Sequence, residues 1–294
     1  MVNRTEYERG LLMDKTNEKR LKIFAANVRK LIIEGVYSAQ SGHPGGSLSS
    51  TEIFTYLYGE KMRIDPTDPK KEGRDRFVLS KGHCAPGLYA ALAQRGFFPK
   101  EEITGFRQCG SILQGHPCRA SVPGVEMSTG SLGQGISAAV GMAMMGKLDR
   151  ASYRVFALLG DGELQEGQVW EAQMAAAHYK LDNLTAFIDF NGLQIDGKTD
   201  DVMSLGSISD KVKAFGWHVI NIDGHSLDQI EAAVREAEET KGKPTMIIAK
   251  TVKGKGVSFM ENEAGWHGKA PNKEQYEQAM AELNAALAAL EVEA

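Results

Sequence analysis

Residues 160–191, GDGELQEGQVWEAQMAAAHYKLDNLTAFIDFN, contain the pattern that decides the fold. The apolar run YRVFALLG leads directly into Asp161, and a second apolar run, LTAFIDFN, ends on Asn191. Helical spacing at 168–180 lies between them, which predicts a strand, a covering helix and a parallel neighbouring strand. Because open parallel sheets bind ligands beyond the carboxyl ends of their strands, Asp161 and Asn191 are candidate ligand-binding residues.

The same type of pattern continues along the chain. The runs RFVLSKGH, WHVINIDG and TMIIAKT predict further strands, and their nearly continuous apolar character fits a sheet that is buried on both faces. Segments with helical spacing lie at 17–40, 86–95, 100–108, 136–148, 226–240 and 273–290. The segment SGHPGGSLSS, which is rich in glycine and proline, is expected to be a loop. We expect an α/β fold, with a parallel sheet covered by helices on both faces, in one domain over 1–294 that includes the C-terminal helix.

The composition excludes several classes of function. The net charge is −4 and the charges are interspersed, so the broad basic face of a nucleic-acid-binding protein is missing and we expect no nucleic-acid partner. Apolar runs are short, and the first residues, MVNRTEYERGLLMDK, carry charges where a signal peptide needs an apolar core. We therefore expect no membrane partner and a cytoplasmic location. The three cysteines show no CxxC spacing, which argues against a zinc site.

Asp161 and Asn191 together predict a metal site. The carboxylate of Asp161, the amide oxygen of Asn191 and the backbone carbonyl of Leu193 would form half of an oxygen-only octahedron, which suits Mg²⁺. Phosphate oxygens and water would fill the other positions, and the Gly162 amide could approach a phosphate, so the implied ligand is a diphosphate-bearing cofactor. The alternative is structural, with Asp161 as a helix cap and FNG as an ordinary turn.

The stretch also resembles a known family. GDGELQEGQVWEA and YKLDNLTAFIDFNGLQIDG are similar to the thiamine diphosphate motif in its transketolase version. The resemblance continues in the family's order through SGHPGG, LSKGH, GHP, STGSLGQGIS, KGKG and WHG, and covers the family's first half, the diphosphate-binding domain. A nicotinamide site is the weaker interpretation, because GSLGQG does not match GxGxxG and follows no clean first strand.

The resemblance implies a thiamine diphosphate-binding fold and an activity. The family transfers a two-carbon ketol unit from a ketose phosphate to an aldose phosphate, with thiamine diphosphate as electron acceptor. The expected metal is Mg²⁺, with Ca²⁺ or Mn²⁺ as substitutes. The implied catalytic residues are the histidines of the matched motifs: His43, His83, His116 and His267. The implied cofactor-binding residues are His83, Gly130, Leu132, Gly160, Asp161, Gly162, Asn191 and His267.

Each implied catalytic histidine lies in a loop beside a glycine, and imidazole suits proton exchange with sugar hydroxyls near neutral pH. From the resemblance, His43 and His267 lie by the reacting oxygens of the substrate. His83 and His267 lie by the diphosphate, and His116 lies by the terminal hydroxyl of the donor. Structural roles are expected for the remaining histidines: packing for His178 and His218, and a helix start for His225.

In the family, acids at the positions of Glu166 and Glu171 lie near the subunit interface and communicate with the glutamate that activates the cofactor. That glutamate belongs to the family's next domain, so the resemblance implies the N-terminal subunit of a split transketolase. Its partner would be a separate C-terminal subunit in a heterotetramer, and its substrates sugar phosphates such as those of the pentose phosphate pathway. The alternatives are a subunit of another thiamine diphosphate enzyme, similar to deoxyxylulose-phosphate synthase or a 2-oxoacid dehydrogenase, or a non-catalytic regulatory subunit.

Overall fold

A parallel β-sheet forms the centre of the molecule. The computed structural model describes residues 13–292. The strands of the main sheet are β1 Arg76–Leu79, β2 Val155–Gly160, β3 Leu184–Phe190, β6 His218–Asp223 and β7 Thr245–Lys250; β4 Leu193–Gln194 and β5 Gly197–Lys198 form a small antiparallel hairpin. In this part of the chain the main sheet has five strands in the order β1-β2-β3-β7-β6, all parallel.

Helices cover both faces of this sheet, which confirms the predicted α/β class. On one face lie α1 Lys15–Ala39, α2 Pro44–Ser49, α3 Thr51–Tyr56, α4 Ala85–Arg95, α9 Leu227–Glu239 and α10 Lys273–Val292. On the other face lie α5 Gln134–Leu148, α6 Gly167–His178 and α8 Ile208–Ala214. The short helix α7 Thr199–Met203 follows the hairpin.

Alternation along the strands separates two apolar cores. In β2, Phe156 and Leu158 belong to the core under α1 and α4, whereas Val155, Ala157 and Leu159 belong to the core under α5 and α6. Because both faces are buried, every strand position can be apolar, which explains the continuous apolar runs in the sequence. No helix within residues 13–292 has the length and apolar character needed to cross a membrane.

The glycine-rich segment that we expected to be a loop is partly helical. Pro44–Ser49 forms a short buried helix, with Pro44 in its first turn, where a missing amide proton costs no intrahelical hydrogen bond. A Cβ on Gly45 would lie 2.8 Å from the carbonyl oxygen of Trp266. The glycine therefore serves close packing of a helix against the chain and does not mark a loop.

The segment at 100–108 is helical only in its first part, and there as a 3₁₀ helix. This 3₁₀ helix, Lys100–Gly105, covers six of the nine residues. Arg107 then adopts a positive φ of 61°, a left-handed conformation that cannot continue a right-handed helix.

Two histidines that we expected to pack in the interior lie at the surface. His178 is exposed at the end of α6, where its ring contacts Tyr179. His218 is about one-third exposed, and its Nε2 lies 2.6 Å from Glu236 Oε1. The alanine-rich stretch before His178 gives no helical phase to assign its face, and His218 lies on the edge strand of the sheet.

Candidate active site

The carboxyl ends of β2 and β3 bring Asp161 and the turn after Asn191 together. The two strands stay in parallel register up to the last residue of β2, so the chain leaves both strands at the same edge of the sheet. The Gly192 amide donates to Asp161 Oδ2 at 2.5 Å, and the Gly162 amide donates to Oδ1 at 2.8 Å. The separation in sequence thus becomes a direct contact at the strand ends.

Asp161 is a buried carboxylate that forms no ion pair within residues 13–292. It is 2% exposed, and its oxygens accept hydrogen bonds from backbone amides. Burial, followed by the charge of Asp189, raises the pKa of Asp161 to about 6. A divalent cation bound here would compensate this charge, because bound cations stabilise the ionised form of a neighbouring carboxylate. The residue therefore fits the predicted metal position.

The other two predicted metal ligands follow β3. Asn191 Nδ2 donates to Asp189 Oδ2 at 3.0 Å, which orients the amide so that Oδ1 accepts from the Leu193 amide at 3.1 Å. The Leu193 carbonyl accepts from Lys253 Nζ at 3.1 Å. Over the described residues, no group of three or more His, Cys, Asp or Glu side chains is arranged to hold a metal. The candidate ligands are thus one carboxylate, one amide and one carbonyl, an oxygen set that suits Mg²⁺.

A cavity of about 320 Å³ opens beside this turn. All of the cofactor-binding residues expected from the resemblance line it: His83, Gly130, Leu132, Gly160, Asp161, Gly162, Asn191 and His267. The structure therefore brings residues from separate segments of the chain into one site. Their individual contacts with a cofactor stay predictions.

Lys253 also lines this cavity, and our sequence-based site did not include it, although the KGKG motif contains it. Its side chain is buried, and Nζ lies 3.1 Å from both the Leu193 carbonyl oxygen and His267 Nδ1. Burial lowers the pKa of Lys253. An anionic group in the cavity would offset the free-energy cost of burying the Lys253 charge. An ammonium group binds phosphate oxygens through strong charge-assisted hydrogen bonds.

A buried ion pair lies at the inner end of the cavity. Lys81 Nζ lies 2.6 Å from Asp189 Oδ2, with side chains that are 2% and 0% exposed. Burial is the largest single effect on each charge, but the attraction of the partner and the surrounding charges and hydrogen bonds together outweigh it, raising the pKa of Lys81 and lowering that of Asp189. Lys81 Nζ also donates to Ser50 Oγ at 2.6 Å and to the Gly46 carbonyl at 2.9 Å. The pair therefore joins β1, α2 and β3 beneath the site.

Glu163 is a second buried acid that sequence reasoning missed, because a glutamate after GDG resembles an ordinary residue at the start of a helix. Its Oε1 accepts from Ser80 Oγ at 2.6 Å and from the Gly133 amide at 2.9 Å, and Oε2 accepts from the Gly160 amide at 3.1 Å. Burial raises the pKa of Glu163. Its hydrogen bonds tie the end of β2 to the loop that carries Gly130 and Leu132.

Two glycines let this loop approach the end of β1. A Cβ on Gly82 would lie 2.5 Å from the Gly130 nitrogen, far inside contact distance. Gly130 has a φ of 148°, and a Cβ there would lie 2.9 Å from His116 Cδ2. The motifs LSKGH, GHP and STGSLGQG are therefore in direct contact, and the glycines are required by that approach.

The four predicted catalytic histidines lie close to one another. The ring of His43 lies 5.3 Å from that of His83, 6.5 Å from that of His116 and 5.6 Å from that of His267. The rings of His83 and His267 stack with centroids 5.0 Å apart. His43 Nδ1 is buried without a hydrogen-bond partner among the described residues. The cluster therefore contains one imidazole nitrogen whose hydrogen-bonding capacity is unused.

Burial keeps this cluster uncharged. Burial is the largest cause for each ring, and neighbouring cations and histidines add to it. The pKa of His43 is lowered to about 4, and that of His267 to about 3. The pKa values of His83 and His116 are also lowered. A neutral imidazole offers one donor and one acceptor, which suits contacts with sugar hydroxyls.

Glu166 and Glu171 lie on the outer side of the site. Glu166 lines the mouth of the cavity, whereas Glu171 is exposed further along α6 and lies outside the lining. Their position leaves them accessible to another chain, and their role at an interface stays a prediction.

Comparison with known proteins assigns the family. The family model "Transketolase, thiamine diphosphate binding domain" matches residues 21–288. The chain belongs to the transketolase family. One relative, a subunit of the apulose-4-phosphate transketolase of Phocaeicola vulgatus, is 47% identical over 93% of this chain and 97% of its own length. A 6-deoxy-6-sulfo-D-fructose transketolase subunit from a Clostridium species is 47% identical over 87% of this chain and 93% of its own length.

Full-length transketolases are similar over the same region. Human transketolase is 44% identical over 92% of this chain, which spans 43% of the human protein. The crystal structure of Campylobacter jejuni transketolase matches with a TM-score of 0.85 and 31% identity, over 95% of this chain and 46% of its own. A Pichia stipitis transketolase in complex with sedoheptulose-7-phosphate matches with a TM-score of 0.83 and 33% identity, over 93% of this chain and 44% of its own. This transketolase chain thus spans less than half the length of these proteins.

Proposed function

We propose that this chain is the thiamine diphosphate-binding subunit of a transketolase built from two different chains. The observation that carries the proposal is the single cavity in which Asp161 and Asn191 lie with His83 and His267. Thiamine diphosphate, when bound, supplies an electron sink for cleaving a carbon–carbon bond of a ketose. The reaction transfers a two-carbon ketol unit from a ketose phosphate to an aldose phosphate.

The strand-end turn and Lys253 hold the charged end of the cofactor. Asp161, Asn191 and the Leu193 carbonyl provide the oxygens for Mg²⁺, and Lys253 supplies a positive charge for the diphosphate. Both assignments rest on the burial of charges that have no other full compensation inside the cavity.

We assign the histidine cluster to binding the sugar substrate and exchanging protons with it. His43, His116 and His267 remain neutral at physiological pH. His43 and His116 can each accept a proton from one hydroxyl and donate one to another oxygen, whereas His267 Nδ1 faces Lys253 Nζ and leaves Nε2 as a donor. The unpartnered Nδ1 of His43 supports a direct contact with substrate. The relatives' names mention phosphorylated and sulfonated sugars, which supports a sugar carrying an anionic group as the substrate class.

A separate pyrimidine-binding subunit completes the site. Relatives of the same length carry the word subunit in their names, whereas full-length transketolases are more than twice as long. Exposed apolar side chains lie on α5, α6, the turn of the β4–β5 hairpin and α7: Met145, Leu148, Met174, Ile195 and Met203. Gln165 of the cavity lining donates to the Met203 carbonyl, so this surface adjoins the cavity. We assign this surface to subunit contacts within a heterotetramer.

The test is reconstitution. With its partner chain, thiamine diphosphate and Mg²⁺, the chain should transfer a ketol unit from xylulose 5-phosphate to ribose 5-phosphate, and it should be inactive alone. Full activity of the isolated chain would contradict the two-chain proposal. Activity only with 2-oxoacids would favour another thiamine diphosphate enzyme, and failure to bind the cofactor with the partner present would favour a regulatory subunit.

The subunit surface has its own test. Met145→Glu or Met174→Glu should weaken co-purification of the two chains, because each change places a charge in an apolar interface. Val292→Glu is the matched control, since Val292 is an exposed apolar residue on α10, which covers the opposite face of the sheet. Unchanged assembly of the Met145 and Met174 variants would remove this surface from the interface.

A further inference from the structure

Outside the cavity, three side chains from distant parts of the sequence form a largely buried network. Arg29 Nη2 lies 2.5 Å from Glu52 Oε1, and His225 Nδ1 lies 2.8 Å from Glu52 Oε2. Burial alone would raise the pKa of Glu52, but Arg29 and His225 hold it below its ordinary value. Glu52 is therefore a carboxylate held between two donors, one from α1 and one from the loop between β6 and α9.

Both donors also hold the backbone of one loop. The Val252 amide donates to His225 Nε2 at 2.9 Å, and Arg29 Nε donates to the Lys255 carbonyl at 3.0 Å. Because His225 Nε2 accepts a hydrogen bond, it carries no proton, and the proton on Nδ1 is the one donated to Glu52. Glu52 thus fixes the orientation of both groups that contact the loop.

Lys253 lies between the two anchored residues. Its side chain turns into the cavity, where Nζ lies 3.1 Å from the Leu193 carbonyl oxygen and from His267 Nδ1. The next residue is anchored as well, since the Gly254 amide donates to the Gly45 carbonyl at 3.0 Å. The backbone on both sides of Lys253 is therefore held by hydrogen bonds to His225, Arg29 and Gly45.

None of the three network residues lines the cavity, so they act on a ligand there through the loop. We propose that Arg29, Glu52 and His225 are positioning residues that fix Lys253 for the diphosphate group of the cofactor. The inference rests on the proposed function, because it assigns Lys253 to that group. The network and the loop both belong to this chain, and their hydrogen bonds need no cofactor atom.

Two substitutions of His225 separate its two hydrogen bonds. His225→Asn keeps a donor near the position of Nδ1 and loses the acceptor for the Val252 amide. His225→Gln keeps an acceptor near the position of Nε2 and loses the donor to Glu52. His218→Gln is the matched control, because His218 pairs with Glu236 at the surface, away from the cavity.

The first measurement needs no cofactor. Hydrogen–deuterium exchange of a peptide containing residues 252–255, in the complex of both chains, should speed up in His225→Asn. Exchange should change less in His225→Gln and stay as in the wild type in His218→Gln. A purely structural role of His225 predicts equal changes in its two variants, in proportion to any loss of melting temperature, and that result would overturn the proposal.

The second measurement is the affinity of the assembled complex for thiamine diphosphate with Mg²⁺, by isothermal titration calorimetry. His225→Asn should weaken it roughly fivefold, the loss expected when one buried hydrogen bond no longer orders the loop. Arg29→Lys, which keeps the charge beside Glu52 but loses the Nε donor to the Lys255 carbonyl, should weaken the affinity to a similar degree and provides a test independent of His225. Unchanged affinity in both variants would overturn the proposal.

A double-mutant cycle tests whether the effect passes through Lys253. In a Lys253→Met background, His225→Asn should cause no further loss of affinity, because the group that it positions is gone. An additive loss would overturn the proposal. If the wild-type complex bound no thiamine diphosphate at all, the proposed function would fail, whereas normal wild-type binding with additive losses would refute only the role of the network.

Discussion

At the scale of single residues, Asp161 is a buried carboxylate whose charge a bound cation would stabilise. The carboxylate is almost completely buried and accepts hydrogen bonds from two backbone amides. Amide dipoles compensate a buried charge only in part, and burial therefore raises the pKa of Asp161. The proposed cation supplies the remaining positive charge, so the Asp161 side chain should control metal-dependent binding of the cofactor.

Asp161→Asn should reduce Mg²⁺-dependent affinity for thiamine diphosphate by at least about 100-fold, because it removes the one charged ligand of the proposed site while keeping the side-chain shape. Calorimetric titration with and without Mg²⁺ measures the change. Asp196→Asn, an exposed acid in the nearby hairpin turn, is the control and should bind as the wild type does. Retained Mg²⁺ dependence in Asp161→Asn would place the metal elsewhere.

His43 gives a prediction on pH. Its pKa is lowered to about 4, first by burial and then by Arg107, so the folded chain resists protonation that the unfolded chain accepts near pH 6.5. The stability due to neutral His43 is therefore present above about pH 6.5 and is lost as the pH falls towards 4. An NMR titration, with His43→Asn used to assign the signal, should show His43 neutral at pH 5. Titration of His43 near pH 6.5 would contradict this.

At the scale of elements, the site depends on loops that touch without intervening side chains. The 3₁₀ turn after β1, Gly82–Cys84, packs against the loop before α5, and Glu163 ties that loop to the end of β2. Each motif is short and irregular, so its conformation comes from these contacts and not from local propensity. Glycine is required where two backbones meet.

Gly82→Ala should destabilise the chain by about 1–3 kcal/mol, because its Cβ would overlap the Gly130 backbone and force the loop away. Gly141→Ala, in α5 with open space around it, is the matched control and should stabilise the chain by about 0.5–1 kcal/mol. Urea unfolding of the purified chains measures both changes. Equal effects would show that the loop yields easily at Gly82.

At the scale of the whole molecule, the Lys81–Asp189 pair joins the sheet to the first helical layer. Ser49 donates to Asp189 Oδ2 at 2.6 Å, and Thr251 also donates to this carboxylate, so β1, α2, β3 and the chain after β7 meet at one buried charge. Removing one partner would leave the other charge buried and uncompensated, which should lower the free energy of unfolding of the whole chain.

Lys81→Met should lower the free energy of unfolding by about 3–5 kcal/mol, the cost of leaving a buried charge without its partner. Lys147→Met is the control, because Lys147 pairs with Asp182 at 2.7 Å near the surface, with side chains that are 38% and 23% exposed. The control should lose less than about 1 kcal/mol. Similar losses in the two variants, measured by urea unfolding, would show that Asp189 is stabilised by its hydroxyl donors alone.

The sequence alone determined the class of fold and the edge at which the site lies. Apolar runs alternating with helical spacing require a parallel sheet, and the polar residues after β2 and β3 mark its carboxyl edge. The histidines of the matched motifs were also identified from the sequence through the family resemblance. These features are local patterns in the sequence, so they can be recognised without the tertiary structure.

The tertiary structure alone decided the burial of Lys81, Glu163 and Lys253, and the network around His225. Lysines and glutamates are normally exposed, so their interior positions depend on partners that lie far away in the sequence: Glu163 contacts Ser80, Lys81 contacts Asp189, and His225 contacts Glu52. A charge is stable inside a protein only when such partners converge on it. That convergence is a property of the folded chain and leaves no local pattern in the sequence.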